Sequence, residues 1–500
     1  MERNDRLNKE KSTACHMACH MARHTTSSPL TKIYIKSGVS RADVFMKRGA
    51  DITDVWEQRE KMTNTTQRSS EVVRELRGVV LCPHPSERSW RLERDVVLTI
   101  TATGHVEALE RPQAYEERTG RAAPPETVPG AVWSPGFIDT HVHYPQTMII
   151  GSASGPLLTW LETSVFPEEG RFADLDYARR VAERFCDHLL RQGSTSAAIY
   201  SSSHPGATSV LFEALERRGL RAEAGLTLMD RGAPDDLLRP KEEALEAMEA
   251  LVERWHGRDE GRLRFCVTPR FGLSCTPELL KAAGRFAQDK GLWVQTHISE
   301  NPLEIEATAA AFPTSRDYLG MYEDMGLLSE RTLLAHCIWL SEREWARCAE
   351  VGARVTHCPD SNFFLGSGQM PLATALNHEL SVGLGSDVGA GRSFSLRKAC
   401  ARAYDASRIT KSEVSPEELL WLATRGGALA TGRADEVGCV APGYEADLIC
   451  TRLPERFELP SGCSDDEALR LITAQLIFCE DWQGTERVLV RGVERWRALG

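Results

Sequence analysis

Five side chains able to ligate a metal stand at the ends of four short apolar runs in this 500-residue sequence: His141 and His143 in FIDTHVHY, His297 in LWVQTHISE, His336 in TLLAHCI and Asp387 in SVGLGSD. Alternate residues of a strand point to the same face, so His141 and His143, at i and i+2, can converge on one ion. Neutral imidazole suits zinc or iron. One such pair also reads as two ordinary polar positions; recurrence at four strand ends is what points to a site. A catalytic zinc takes three protein ligands, keeps a place for water and sometimes expands its coordination. Three histidines and an aspartate fit that pattern, with the remaining histidine holding the water. Glu300 follows His297 by three residues, where strand gives way to loop. A carboxylate there can carry protons, although it also reads as a solvated acid at a helix start. Asp139 is better suited to supporting the backbone than to binding the ion.

Those groups need strands that end together. From about residue 134 the chain alternates strand-like and helix-like stretches: FIDTHVHY, LDYARRVAERFCDHLLRQG, STSAAIY, ATSVLFEALERRG, RAEAGLTLMD, then LRFCVTPRF, LWVQTHISE, TLLAHCI, ARVTHCP and SVGLGSD with helix-length segments between. This grammar predicts an α/β fold, and eight such units suit a TIM-type (β/α)8 barrel, whose catalytic groups sit at the carboxyl ends of the strands. In KEEALEAMEALVERW, Leu245, Met248, Leu251, Val252 and Trp255 form one apolar stripe, which is core packing and not a functional surface. Short alternating segments precede the barrel (RGVVL, and RDVVLTITATGHVEAL with its TG turn) and follow it (EADLICTRL, RVLVRGVERW). They predict a small β-sandwich domain formed from both flanks. The expected division is a polar, disordered tail over 1–75, the composite β-sandwich over 76–133 and 432–500, and the barrel over 134–431.

Composition narrows the class. With 42% hydrophobic and 26% charged residues the chain can bury a core, which argues against fibrous or largely disordered readings. A net charge of -11 speaks against a polyanion-binding surface spread over the molecule, so nucleic acid is not an expected partner. No apolar run is long enough to span a membrane, and the first residues lack a signal-peptide core, so a cytoplasmic protein is expected. The 14 cysteines are scattered through apolar stretches and read as reduced core thiols. In the tail, Cys15, His16, Cys19, His20 and His24 have spacing that could hold zinc, but no apolar core surrounds them.

Longer words accompany the strand-end ligands: PGFIDTHVHYPQT, LLTWLETSVFPEE, VTPRFGLSC, QTHISEN, HCPDSNFFLGSG and VGLGSDVGAG. The array resembles the amidohydrolase superfamily, and the words resemble one of its branches, the guanine deaminases, from Arg77 to the C-terminus. The most specific matches are Tyr144-Pro145-Gln146, Trp160-Leu161-Glu162 and Pro269-Arg270-Phe271. The resemblance implies hydrolysis of guanine to xanthine and ammonia, with one zinc per subunit (iron(II) being the alternative) and a homodimer. It implies that His141, His143, His297 and Asp387 bind the metal. It further implies that His336 orients the metal-bound hydroxide, that Glu300 shuttles a proton to the ring, and that Asp387 passes the water proton to the departing amine. Substrate contacts are implied at Gln146, Arg270 and Phe271, beside His143, His297, Glu300 and Asp387. The physics agrees: a guanidinium offers fixed donors to the O6/N7 edge, a carboxamide both donates and accepts, and an aromatic face stacks on a base. Binuclear relatives bridge two metals with a carboxylated lysine, but between Thr140 and Arg270 the only lysine is Lys241, on the amphipathic helix. A mononuclear site is implied.

Some residues depart from that pattern. Asp360 stands in HCPDSN where the branch has asparagine, and Arg392 follows Asp387 where some relatives carry an uncharged residue. His357, at another strand end, is read as hydrogen-bonding and not ligating. The same ligand set also suits an aminohydrolase or chlorohydrolase acting on a pterin, triazine or adenosine-type ring, and a barrel without its metal would be a scaffold. The signature of the cytidine-deaminase fold, HxE together with PCxxC, is absent, since the sequence has no PCxxC.

Overall fold

The computed structural model describes residues 72–152, 155–479 and 484–499. The Cys/His cluster of the tail lies outside the described residues. The first strand begins at Val72, where pairing with Thr101 already holds the chain, so the last residues assigned to the tail belong to the sheet.

Strands from both flanks form one seven-stranded sheet. Its N-terminal members are β1 (Val72–Pro83), β2 (Trp90–Thr101), β3 (Val106–Glu110) and β4 (Ala131–Pro135). The turn between β2 and β3 runs through Thr103-Gly104, and Gly104 has φ +81° with the carbonyl of Arg491 only 2.3 Å from where a Cβ would sit. Only glycine fits that left-handed, crowded position.

Eight parallel strands then run in chain order: β5 (Phe137–His143), β6 (Ser194–Tyr200), β7 (Arg221–Gly225) with its short continuation β8 (Thr227–Leu228), β9 (Leu263–Pro269), β10 (Trp293–Ile298), β11 (Thr332–His336), β12 (Arg354–His357) and β13 (Val382–Leu384). Two backbone bonds beyond β13 bring the ends of the array together: Asp387 N–H donates to the His141 carbonyl at 2.8 Å, and His143 N–H to the Val388 carbonyl at 3.0 Å. This is the TIM-type barrel that the alternating grammar predicts. β14 (Leu448–Arg452), β15 (Thr485–Val490) and β16 (Val493–Arg497) complete the first sheet, with β14 antiparallel to β4.

The helices follow from capping and stripe. Leu175–Arg191 starts at Asp174, whose carboxylate accepts from the N–H groups of Asp176 and Tyr177, and it buries Val181, Phe185 and Leu189 against the barrel. Lys241–Trp255 buries Ala244, Met248, Leu251 and Trp255, while Leu245 and Val252 flank that stripe half-buried. An ionic cluster joins barrel to flank at the strands' amino ends. Arg221 of β7 donates to Glu436 at 2.7 Å and also binds Glu445 and Asp447, and Arg433 holds Glu223 and Glu436. Among the described residues no helix is long and apolar enough to cross a membrane.

Candidate active site

The ends of β5, β10 and β11 and the turn after β13 meet at one point. His143 Nε2 lies 3.2 Å from His141 Nε2 and 3.1 Å from His297 Nε2. Asp387 Oδ1 lies 3.2 Å from His141 Nε2 and 3.4 Å from His143 Nε2. The neighbouring groups decide which nitrogen carries the lone pair. His297 Nδ1–H donates to the Arg270 carbonyl at 2.6 Å, leaving Nε2 free to face the other imidazoles. Burial pushes His141 down to about 4 and His297 well below the ordinary imidazole value, so both are neutral. Burial would raise Asp387, but His141 and His143 more than offset it and hold the carboxylate ionised. Three buried imidazoles and a carboxylate converging on one point are the donor set of a divalent metal. The residues present fit such an ion.

Support lies one layer out. Asp139 Oδ1 accepts from the backbone N–H of His141 at 3.2 Å and of Ser386 at 2.9 Å, joining β5 to the turn that carries Asp387. That is the supporting role its position suggests. His336 and Asp387 adopt left-handed backbone, φ +72° and +49°. For residues other than glycine this costs on the order of 1–3 kcal/mol each and is tolerated where the surroundings fix the site. His336 Nδ1–H donates to Asn362 Oδ1 at 3.1 Å, and its buried Nε2 has no hydrogen-bond partner among the described residues, lying 3.7 Å from Glu300 Oε2 and 3.8 Å from Asp387 Oδ2. Burial favours neutral His336, yet Glu300, Asp387 and the Asn362 bond outweigh it and raise its pKa. Glu300 itself is 4% exposed, so the solvated reading fails; burial pushes its carboxyl up. Glu304 holds it in place, accepting from the N–H groups of Glu300 and Asn301 at 3.1 and 3.3 Å.

Gln146, Arg270 and Phe271 line the same pocket as His143, His297, Glu300 and Asp387. A residue the sequence reading missed connects two of them. Glu169 Oε2 accepts from Arg270 Nη1 at 2.7 Å, and its other oxygen lies 3.3 Å from Gln146 Nε2. Gln146 Oε1 in turn accepts from Gly389 N–H at 3.0 Å. Leu157, Trp160 and Leu161, from the helical segment over 157–170, form the apolar wall with Leu365 and Ala390. The signal for Glu169 was an unmatched cation: a buried Arg270 requires a carboxylate, and PEEG offers two. Cys358 was also missed; its sulfur clusters with His141, His336 and Asp387. His357 corrects the hydrogen-bonding expectation. Both its ring nitrogens are buried without partners among the described residues, and burial lowers its pKa to about 3, so it packs as a neutral ring.

Residues 132–492 match the family described as Amidohydrolase family. The chain belongs to the amidohydrolase family. This amidohydrolase is 40% identical over 367 residues to a probable guanine deaminase of Deinococcus radiodurans, covering 73% of the chain and 83% of that relative. Among solved structures it is similar to E. coli guanine deaminase, with a TM-score of 0.78 and 32% identity over 85% of this chain and all (100%) of that one. A guanine deaminase from C. acetobutylicum with guanine bound in its active site matches with a TM-score of 0.76 and 28% identity, covering 84% of this chain and 99% of that one.

Proposed function

We propose that this amidohydrolase is a guanine deaminase, hydrolysing guanine to xanthine and ammonia. The observation that carries the reading is one pocket with two chemical ends: a metal donor set beside a buried carboxylic acid, and a paired guanidinium and carboxamide across from them. Similarity to guanine deaminases over most of the chain supports it.

His141, His143, His297 and Asp387 hold one zinc, iron(II) being the alternative. When bound, the ion supplies Lewis-acid activation of water near neutral pH. Lys241, the only lysine between Thr140 and Arg270, begins an outer helix and pairs with Glu242 at 3.0 Å, which supports a mononuclear site. Arg270 donates to the O6/N7 edge of guanine. Gln146, with Glu169 and Gly389 each taking one of its hydrogen-bonding positions, keeps one N–H and one lone pair for the base. Adenine, with an amino group at C6, would set a donor against the Arg270 donors. Phe271 and the apolar wall enclose the ring and exclude water.

Glu300, protonated more readily because of its burial, delivers a proton to ring N3 as water attacks C2. His336 orients that water, and Asp387 takes up one of its protons and hands it to the departing amine, while the proton left on the C2 hydroxyl returns to Glu300 as ammonia leaves and the carbonyl of xanthine forms. A homodimer in the cytoplasm completes the reading; the described cysteines are free thiols, as a reducing compartment favours. The test is addition of guanine to metal-analysed protein, following ammonia release and xanthine absorbance, with pterin, triazine and adenosine-type rings as competitors. Turnover of guanine far above the others is expected; preference for another ring overturns the assignment. Light scattering checks the dimer.

A further inference from the structure

The two residues set apart in the sequence make one contact. Asp360 follows β12, near the start of helix Pro359–Phe364, and its side chain is 10% exposed. Its Oδ2 accepts from the backbone N–H of Arg392 at 2.6 Å, and Oδ1 accepts from Arg392 Nε at 3.1 Å and from Nη2. The guanidinium also lies over Phe364, 5.5 Å from the ring centre, and Arg402 approaches the same carboxylate at 3.7 Å. An asparagine at 360 has one accepting oxygen and no charge, so it could not hold the backbone N–H and the guanidinium on separate oxygens or form the ion pair; each departure supplies what the other needs.

This contact closes a short loop whose other end is Asp387. At the near end, Asp387 and Val388 are bonded to β5. In the middle, Gly389 N–H holds Gln146 Oε1, Ala390 faces the pocket, and Gly391 passes so close to Ser386 that a Cβ would lie 1.7 Å from its carbonyl oxygen. At the far end, Arg392 is held by Asp360. We propose that Asp360 and Arg392 form a latch that keeps residues 387–392 against the pocket, making them a positioning pair for guanine binding through Gln146 and Ala390. The latch acts on how well the base is held and not on proton transfer, since neither residue lines the pocket. It rests on the reading that the pocket takes guanine.

The experiment compares D360N, R392Q and the double variant as metal-loaded full-length protein. Each single variant is expected to raise KM for guanine about tenfold with kcat within about twofold, and the double variant to do no more than the worse single one, as coupled partners do. Hydrogen exchange of the amides over 388–392, measured without substrate, is expected to quicken about tenfold in D360N and to stay unchanged elsewhere. Unchanged KM in both single variants, additive effects in the double variant, or unchanged exchange in the loop overturns the latch. R392Q alters an exposed side chain and keeps the backbone N–H, so it reports even if D360N folds poorly. Wild-type protein that does not turn over guanine overturns the proposed function instead, and the exchange comparison then decides the latch alone.

Discussion

Glu169 Oε2 accepts a hydrogen bond from Arg270 Nη1 at 2.7 Å, with the two side chains only 2% and 4% exposed. The pair carries consequences beyond its own strength. A buried guanidinium without a carboxylate would draw an anion into the pocket, whereas the neutralised pair presents donors to a neutral base. Removing one partner of a buried pair costs about 3–5 kcal/mol because the other charge is left unopposed. E169Q, which preserves shape, is therefore expected to lower the melting temperature and to raise KM for guanine at least about tenfold, while metal content holds. Thermal melts, steady-state kinetics and metal analysis on one preparation check it; an unchanged KM removes Glu169 from base positioning.

Glu300 and the ligands separate chemistry from assembly. E300Q keeps the volume and loses the proton, so metal content should match wild type while kcat falls by about 10²–10⁴. A near-normal rate would show that another group moves the proton. R270A should show the opposite split, with KM rising far more than metal content falls.

Much of this site was legible because its proposed ligands are tied to strand ends, and strand ends are marked by apolar runs. His141, His143, His297, His336 and Asp387 could be placed at one end of the barrel without coordinates, since a parallel barrel aligns those ends. Glu169 could not, because it reaches Arg270 from a helical segment with no periodic signal for which side faces the pocket. The Asp360–Arg392 contact was hidden for a different reason: each residue stands out alone, but 32 positions separate them and only the closed barrel brings them together. His357 shows the limit of position-based reading, for it shares the strand-end placement of the proposed ligands and yet neither of its ring nitrogens finds a hydrogen-bond partner among the described residues.

Metal and fold are expected to be coupled at the junction of β5, β10 and β13. Without an ion, three imidazoles and a carboxylate stay crowded with no shared partner, so binding should stabilise the folded state. Chelation should abolish turnover and lower the melting temperature, and readdition of zinc should restore both. H297A, which removes the proposed ligand whose Nδ1–H is held by the Arg270 carbonyl, should lose most bound metal and become insensitive to chelator. A melting temperature that ignores chelation in wild type would show that the site is preformed by protein contacts alone.

The ionic cluster between barrel and flank should set the acid limit of stability. Burial raises the pKa of Glu436, but Arg433, Arg221 and Arg264 together outweigh it and hold the carboxyl below its ordinary 4.5. In the unfolded chain the value returns toward 4.5, so as pH falls the unfolded state binds the proton first. The stabilisation is thus fully present above that ordinary value and is lost as pH drops through the depressed one. Arg221 makes the loss consequential, since its side chain is fully buried and depends on Glu436, Glu445 and Asp447 for its charge. E436Q should be less stable than wild type at neutral pH, and the gap should narrow as pH falls below 4.5 because wild type then loses the same interaction. Urea unfolding of both proteins across that window measures the gap directly. A constant difference would show that Glu436 stabilises by packing and not by charge.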